Sequence, residues 1–237
     1  MEACSRMDFV KYLPRLRQAI NRIPGVFIVA VLTSSLAWSQ DAVVEPITDD
    51  ATVLLDDYVA AVQSFTADFE QTLFDPDGEQ IESETSSGRF SLLRPDRFLW
   101  HYDTPFEQII VADGESIWVY DVELEQVTRA PLSDLADSPA MLLSGEGTVG
   151  DRYRVTSAPS SDERRWIELA PVDDRDGDFI SAKIAFLDGA PSALELLDGI
   201  GSLTRIEFAE VAVNASLSES DFEFAPPAGV QVVGDDD

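Results

Sequence analysis

Between Phe65 and Arg129 the chain alternates large apolar residues with a period of two, and it does so on both phases of the alternation. In the run Arg97-Phe-Leu-Trp-His-Tyr102, an extended backbone puts Phe98, Trp100 and Tyr102 on one side and Arg97, Leu99 and His101 on the other. Ile117-Trp-Val-Tyr120 divides in the same way, with Trp118 and Tyr120 opposite Ile117 and Val119. Such runs are strands, and a sheet that is oily on both faces must be covered twice or keep one concave surface for a ligand. Further strand-like runs follow, among them Arg165-Trp-Ile-Glu-Leu169, Phe179 to Phe186 and Leu203 to Phe208. The clusters Asp75-Pro-Asp-Gly78, Ser157-Ala-Pro-Ser-Ser161 and Asp173 to Asp178 read as loops, since Asp-Gly supplies the positive φ of tight turns.

Two helices are expected beside the strands. From Asp50 the residues Leu54, Tyr58, Ala61 and Phe65 recur at helical spacing, with Asp49 and Asp50 placed to meet the helix dipole. The second is short: Ser138 suits an N-cap, Pro139 the first helical position, Ala140-Met-Leu-Leu143 the body and Gly145 the stop. Two such helices cannot hide both faces of the sheet.

The first 39 residues read as a secretion leader. Arg6, Lys11, Arg15, Arg17 and Arg22 precede the apolar run Val26 to Leu36, and Ala37-Trp-Ser39 offers a small-x-small cleavage site. The apolar run falls short of the roughly 20 residues that span a bilayer. Residues 40–237 are then expected to form one domain. Cys4 is the sole cysteine and precedes the apolar run, so the mature chain is expected to carry no disulfide, no thiol nucleophile and no acylated anchor.

Loss of residues 1–39 removes five basic and two acidic residues, taking the formal charge from 16 − 45 = −29 to 11 − 43 = −32. Nucleic acids and anionic membranes recruit clustered Lys and Arg, so neither is an expected partner. The charge itself fits a solvated or salt-adapted surface, and steering of a partner is the alternative. The acidic loops lack the twelve-residue calcium pattern with its terminal Glu, and turns account for them. His101 is the only histidine, and no Gly-x-Ser-x-Gly elbow accompanies it, so catalysis is not expected.

The order Phe65-Thr-Ala-Asp-Phe-Glu-Gln71, then Arg94-Pro-Asp-Arg-Phe-Leu-Trp100, then Ile109-Ile-Val-Ala-Asp-Gly114 with Ile117-Trp-Val-Tyr120, resembles the outer-membrane lipoprotein carrier (LolA) family. The close Phe222-Glu-Phe-Ala-Pro-Pro-Ala-Gly-Val230 resembles that family's ending, so the likeness spans nearly all of the mature chain. The resemblance implies a mainly β fold: an open, incomplete antiparallel barrel or strongly curved sheet with a helical lid over an apolar cavity. It implies a monomeric periplasmic carrier that accepts acylated lipoproteins from an inner-membrane ABC exporter of the LolCDE type. Delivery then goes to the outer membrane, through a LolB-like acceptor where one exists, and no cofactor is implied, because the energy enters at the exporter.

Taken as residues alone, the aromatics also fit an ordinary core. The resemblance assigns Phe98 and Trp100 to the acyl-binding cavity, and Phe90, Trp118, Met141 and Leu142 are expected there with them. It also gives Arg94 the task of holding the lid shut by hydrogen bonds to helix backbone, for which a guanidinium with five donors is suited. A surface ion pair is the other reading of Arg94. Two further classes stay open: a sensor or regulatory module of the same fold, and an esterase, for which no nucleophile and base motif is present.

Overall fold

In the computed structural model, the described residues are 50–135, 142–143, 152–172 and 179–234. The expected leader 1–39, Met141, most of the expected second helix and the Asp173 to Asp178 segment lie outside them. A helix α1 (Asp50–Ala61) leads into β1 (Ser64–Phe74), β2 (Ser86–Leu93), β3 (Arg97–Thr104), β4 (Gln108–Asp113), β5 (Ser116–Asp121) and β6 (Gln126–Pro131). After residues 142 and 143, which are helical, come β7 (Tyr153–Ala158), β8 (Arg165–Pro171), β9 (Ser181–Leu187), β10 (Ala190–Leu197), β11 (Leu203–Val213) and β12 (Gln231–Gly234).

All twelve strands form one sheet in the order β12-β6-β5-β4-β3-β2-β1-β11-β10-β9-β8-β7, which leaves β7 and β12 as separate edges. The open, mainly antiparallel sheet that the family resemblance implies is what forms. The only parallel pairing among these strands is β12 on β6. Hairpins join most neighbours, and the one between β9 and β10 turns at Asp188 and Gly189, both at positive φ (52° and 81°).

The expected first helix runs too far. It ends at Ala61, and Phe65 belongs to β1 rather than to the helical stripe. The reason is local: Phe65, Ala67 and Phe69 are buried at every second position, a strand pattern that outcompetes one more helical turn. The last helical bond is Val62 N–H to Tyr58 O, at 2.9 Å.

Cross-strand register assigns the two faces. Ala67, Phe90, Trp100, Ile110 and Val119 lie side by side across β1 to β5, as do Phe65, Leu92, Phe98, Ala112 and Ile117. These residues, together with Leu54, Leu55 and Tyr58 of α1 and with Leu142 and Leu143, belong to one contiguous core. We call this the inner face. The outer face carries a smaller cover made by the C-terminal segment, whose Phe222 is buried and whose Phe224 ring lies 5.8 Å from Trp118 and 6.0 Å from Tyr120. Arg97 fastens that segment through a 3.0 Å contact with Glu219.

Candidate functional site

The inner face is aromatic through its centre. Phe90 and Trp100, paired in register, have ring centroids 4.6 Å apart, and Phe69 meets Trp100 and Tyr102 edge-on at 5.3 and 5.0 Å. Phe65 and Phe208 add a further edge-on pair at 5.6 Å. Phe98 and Trp100 are 2% and 1% exposed, so the centre of this face is dry and largely apolar. Gly88 shapes it. The residue lies between Phe69 and Tyr102 in the register, where a Cβ would overlap the carbonyl oxygen of His101. Because Gly88 offers no side chain there, Tyr102 leans across it, and its hydroxyl donates to Gln71 Oε1 at 3.1 Å.

Arg94 stands at the end of β2, in the turn toward β3 and beside the C-terminus of α1. Its Nε donates to the backbone oxygen of Val62 at 2.7 Å and its Nη2 to that of Leu143 at 3.2 Å. Its guanidinium also covers the Tyr58 ring at 5.1 Å. Burial pushes the Tyr58 phenol up to about 12, against the opposing pull of the Arg94 charge. One side chain thus joins the sheet, the end of α1 and the residue 142–143 segment.

A second tie at the helix end has no counterpart in the sequence reading. Asn214, just past β11 and at φ 54°, donates from Nδ2 to Ala61 O at 3.0 Å and accepts from Gln63 N–H at 2.8 Å. Carbonyls at a helix C-terminus lack intrahelical partners, which explains why an amide and a guanidinium converge on Ala61 and Val62. No sequence pattern marks Asn214. Gln71 is legible in principle, because it continues the inner-face series Phe65, Ala67, Phe69.

The structure brings Phe90, Phe98, Trp100 and Leu142 together on the inner face, with Arg94 at its margin. Met141 lies outside the described residues. Trp118 is a correction. It projects from the outer face, because it pairs with Val111 and Arg129 while its neighbours Ile117 and Val119 point inward. Its indole N–H donates to Asp113 Oδ2 at 2.9 Å, and the Arg129 guanidinium covers its ring at 5.0 Å. On a strand that is apolar on both phases, alternation alone does not say which aromatic points inward. Partial burial raises the pKa of Asp113, but hydrogen bonds from Ser116 N–H, the Trp118 indole and Glu115 N–H, together with the Arg129 charge, outweigh it and hold the carboxyl below its ordinary value.

His101 also lies on the outer face, against Arg89 at 2.9 Å and Glu107 at 3.2 Å. Asp75 accepts from Asp77 N–H and Glu79 N–H, closing a turn as its Asp-Pro-Asp-Gly sequence predicts. Among the described residues there is no cluster of His, Cys, Asp and Glu that could hold a metal ion.

The sequence model of the family described as "Outer membrane lipoprotein carrier protein LolA" matches residues 60–225. A protein of Halorhodospira halophila named outer-membrane lipoprotein carrier protein is 42% identical over 179 residues, which cover 75% of this chain and 83% of that one. One of the same name from Bordetella bronchiseptica is 34% identical over 219 residues, covering 92% and 98% of the two chains. A crystal structure of an uncharacterized conserved protein from Thermus thermophilus shares the fold, with a TM-score of 0.52 at 15% identity, over 78% of this chain and 99% of that one. The open sheet, its aromatic inner face and these matches lead to one assignment: the chain belongs to the outer-membrane lipoprotein carrier family.

Proposed function

We propose that this protein is a periplasmic carrier of acylated lipoproteins, and that residues 1–39 are a leader removed on export. The observation that carries the reading is the inner face built by Phe65, Phe69, Phe90, Phe98 and Trp100, covered on one side by groups that Arg94 ties down. Acyl chains need such a surface: each buried methylene contributes about 0.8 kcal/mol. The resulting affinity makes release the harder step. A cover whose closed form is held by Arg94 stabilises the empty carrier, and so lowers its affinity for cargo.

In this reading the carrier is a monomer that takes lipoproteins from an inner-membrane exporter of the LolCDE type and surrenders them at the outer membrane, to a LolB-like acceptor where present. It performs no chemistry and uses no cofactor. Family membership supports the cargo class, and the position of His101 among outer-face ion pairs supports the absence of a catalytic base. The test incubates inner-membrane spheroplasts with the purified mature protein and assays lipoproteins in the soluble fraction. Stoichiometric release of lipoprotein is expected, and its absence overturns the reading.

A further inference from the structure

The inner face is not uniformly apolar. Two buried polar groups on it, the Trp100 indole N–H and the Ser86 hydroxyl, have no hydrogen-bond partner among the described residues. Ser86 is 4% exposed and Trp100 1%, so neither group faces bulk solvent. Ser86 opens β2, at the end of the face away from Arg94, and pairs in register with Gln71. The Trp100 ring is stacked 6.2 Å from that of Tyr102, whose hydroxyl already donates to Gln71. An indole can only donate, and a hydroxyl can donate as well as accept. A buried donor without an acceptor is costly, so a ligand that brings an acceptor to either group, Ser86 at the start of β2 or Trp100 opposite Phe90 further along it, removes a penalty present in the empty protein.

We infer that Trp100 and Ser86 form a polar subsite for the carbonyl oxygens that join acyl chains to their glyceryl head. The inference rests on the carrier reading above and adds where, and by what chemistry, the cargo's head end is held. Hydrocarbon offers an indole nothing. The ester carbonyl is the acceptor that arrives with each glyceryl-linked chain. From Gln71 back to Phe65 the inner face of β1 extends for about 20 Å. A head seated near Ser86 therefore points its tails along Phe69, Phe90 and Phe98 toward α1.

The test compares two probes of equal chain length, dipalmitoylglycerol with its ester carbonyls and dihexadecylglycerol with ether oxygens in their place. The unmodified protein is expected to bind the ester probe about tenfold more tightly. Trp100→Phe keeps the ring and should lose most of that preference, and Ser86→Ala should lose part of it. A second readout is the indole N–H proton resonance that disappears in Trp100→Phe: it should move downfield on adding the ester probe and not on adding the ether probe. Equal binding of both probes, or an unchanged preference in Trp100→Phe, overturns the subsite and leaves the carrier reading standing. Binding of neither probe overturns both.

Discussion

The Arg94 Nε donates to the carbonyl oxygen of Val62 at 2.7 Å, so a side chain from the sheet occupies the place an intrahelical donor would take if α1 continued. A hydrogen bond of this kind, with a charged donor, contributes about 1.5 to 3 kcal/mol. In Arg94→Leu that contribution disappears from the closed, empty state, and cargo is expected to be held more tightly and delivered more slowly. Arg94→Lys should fall between, since an ammonium keeps the charge without the planar fork. Transfer from purified carrier–lipoprotein complex to outer membranes is the deciding assay, and delivery by Arg94→Leu at the unmodified rate refutes the closing role.

Asn214 acts on the neighbouring carbonyl and should affect stability instead. Asn214→Ala removes the bonds to Ala61 O and Gln63 N–H and leaves a Cβ-bearing residue at φ 54°. The expected loss is about 2 kcal/mol. Asn214→Gly relieves the backbone and should recover part of it. Chemical denaturation of the three proteins measures the order directly.

Phe98→Glu and Trp118→Glu distinguish the two faces. A carboxylate at position 98 enters the dry aromatic surface and should abolish saturable binding of an environment-sensitive apolar probe. The same change at position 118 meets Asp113 and the C-terminal cover, so it should weaken the outer face while the fold's affinity for the probe is retained. Equal loss of binding in both variants contradicts the assignment of faces.

Gly88→Ala is expected to be among the most damaging small substitutions, because the added Cβ overlaps backbone, the carbonyl of His101, rather than a movable side chain. A cost of about 3 kcal/mol is expected, read as a lowered denaturation midpoint.

Tyr58 gives the structure an alkaline limit. Its phenol, raised to about 12 in the fold, ionises in the unfolded chain near 10. The neutral form is favoured by folding, so its contribution is fully present below pH of about 10 and is lost as pH rises through the folded value. Tyr58→Phe should flatten that decline, by roughly 3 kcal/mol at most. Stability curves of the two proteins that run parallel across this range exclude the effect.

Much of this architecture can be read from residue order. Alternation in β3 and β5 specifies strands, Asp-Gly specifies turns, and the Arg-Pro-x-x-Phe-x-Trp run places Arg94 one turn before Phe98 and Trp100. Which phase of β5 faces inward cannot be read this way, since both phases are apolar; Trp118 faces outward because Ile117 and Val119 align with Phe98 and Trp100 through the register of β4. The end of α1 is equally hidden, because Leu54, Tyr58, Ala61 and Phe65 satisfy helical spacing until the strand pattern of Phe65, Ala67 and Phe69 prevails. Asn214 reaches Ala61 across 153 positions, a separation for which local sequence has no sign.

The place of β1 inside the sheet governs the order in which the chain can fold. Its partner on one side, β2, follows within a hairpin, whereas its partner on the other, β11, begins at Leu203. The pairings from β1–β2 through β5–β6 are all local, and these hairpins can close as soon as they are available, whereas β6 also waits for β12. Until β11 arrives, the far side of β1 remains an unpaired strand edge bordered by Phe65 and Phe69, the kind of surface that promotes association between incomplete chains. Completion of the sheet is therefore a late, high-contact-order event, and expression under conditions that slow release of the last segment should favour aggregation over loss of secondary structure in the first six strands.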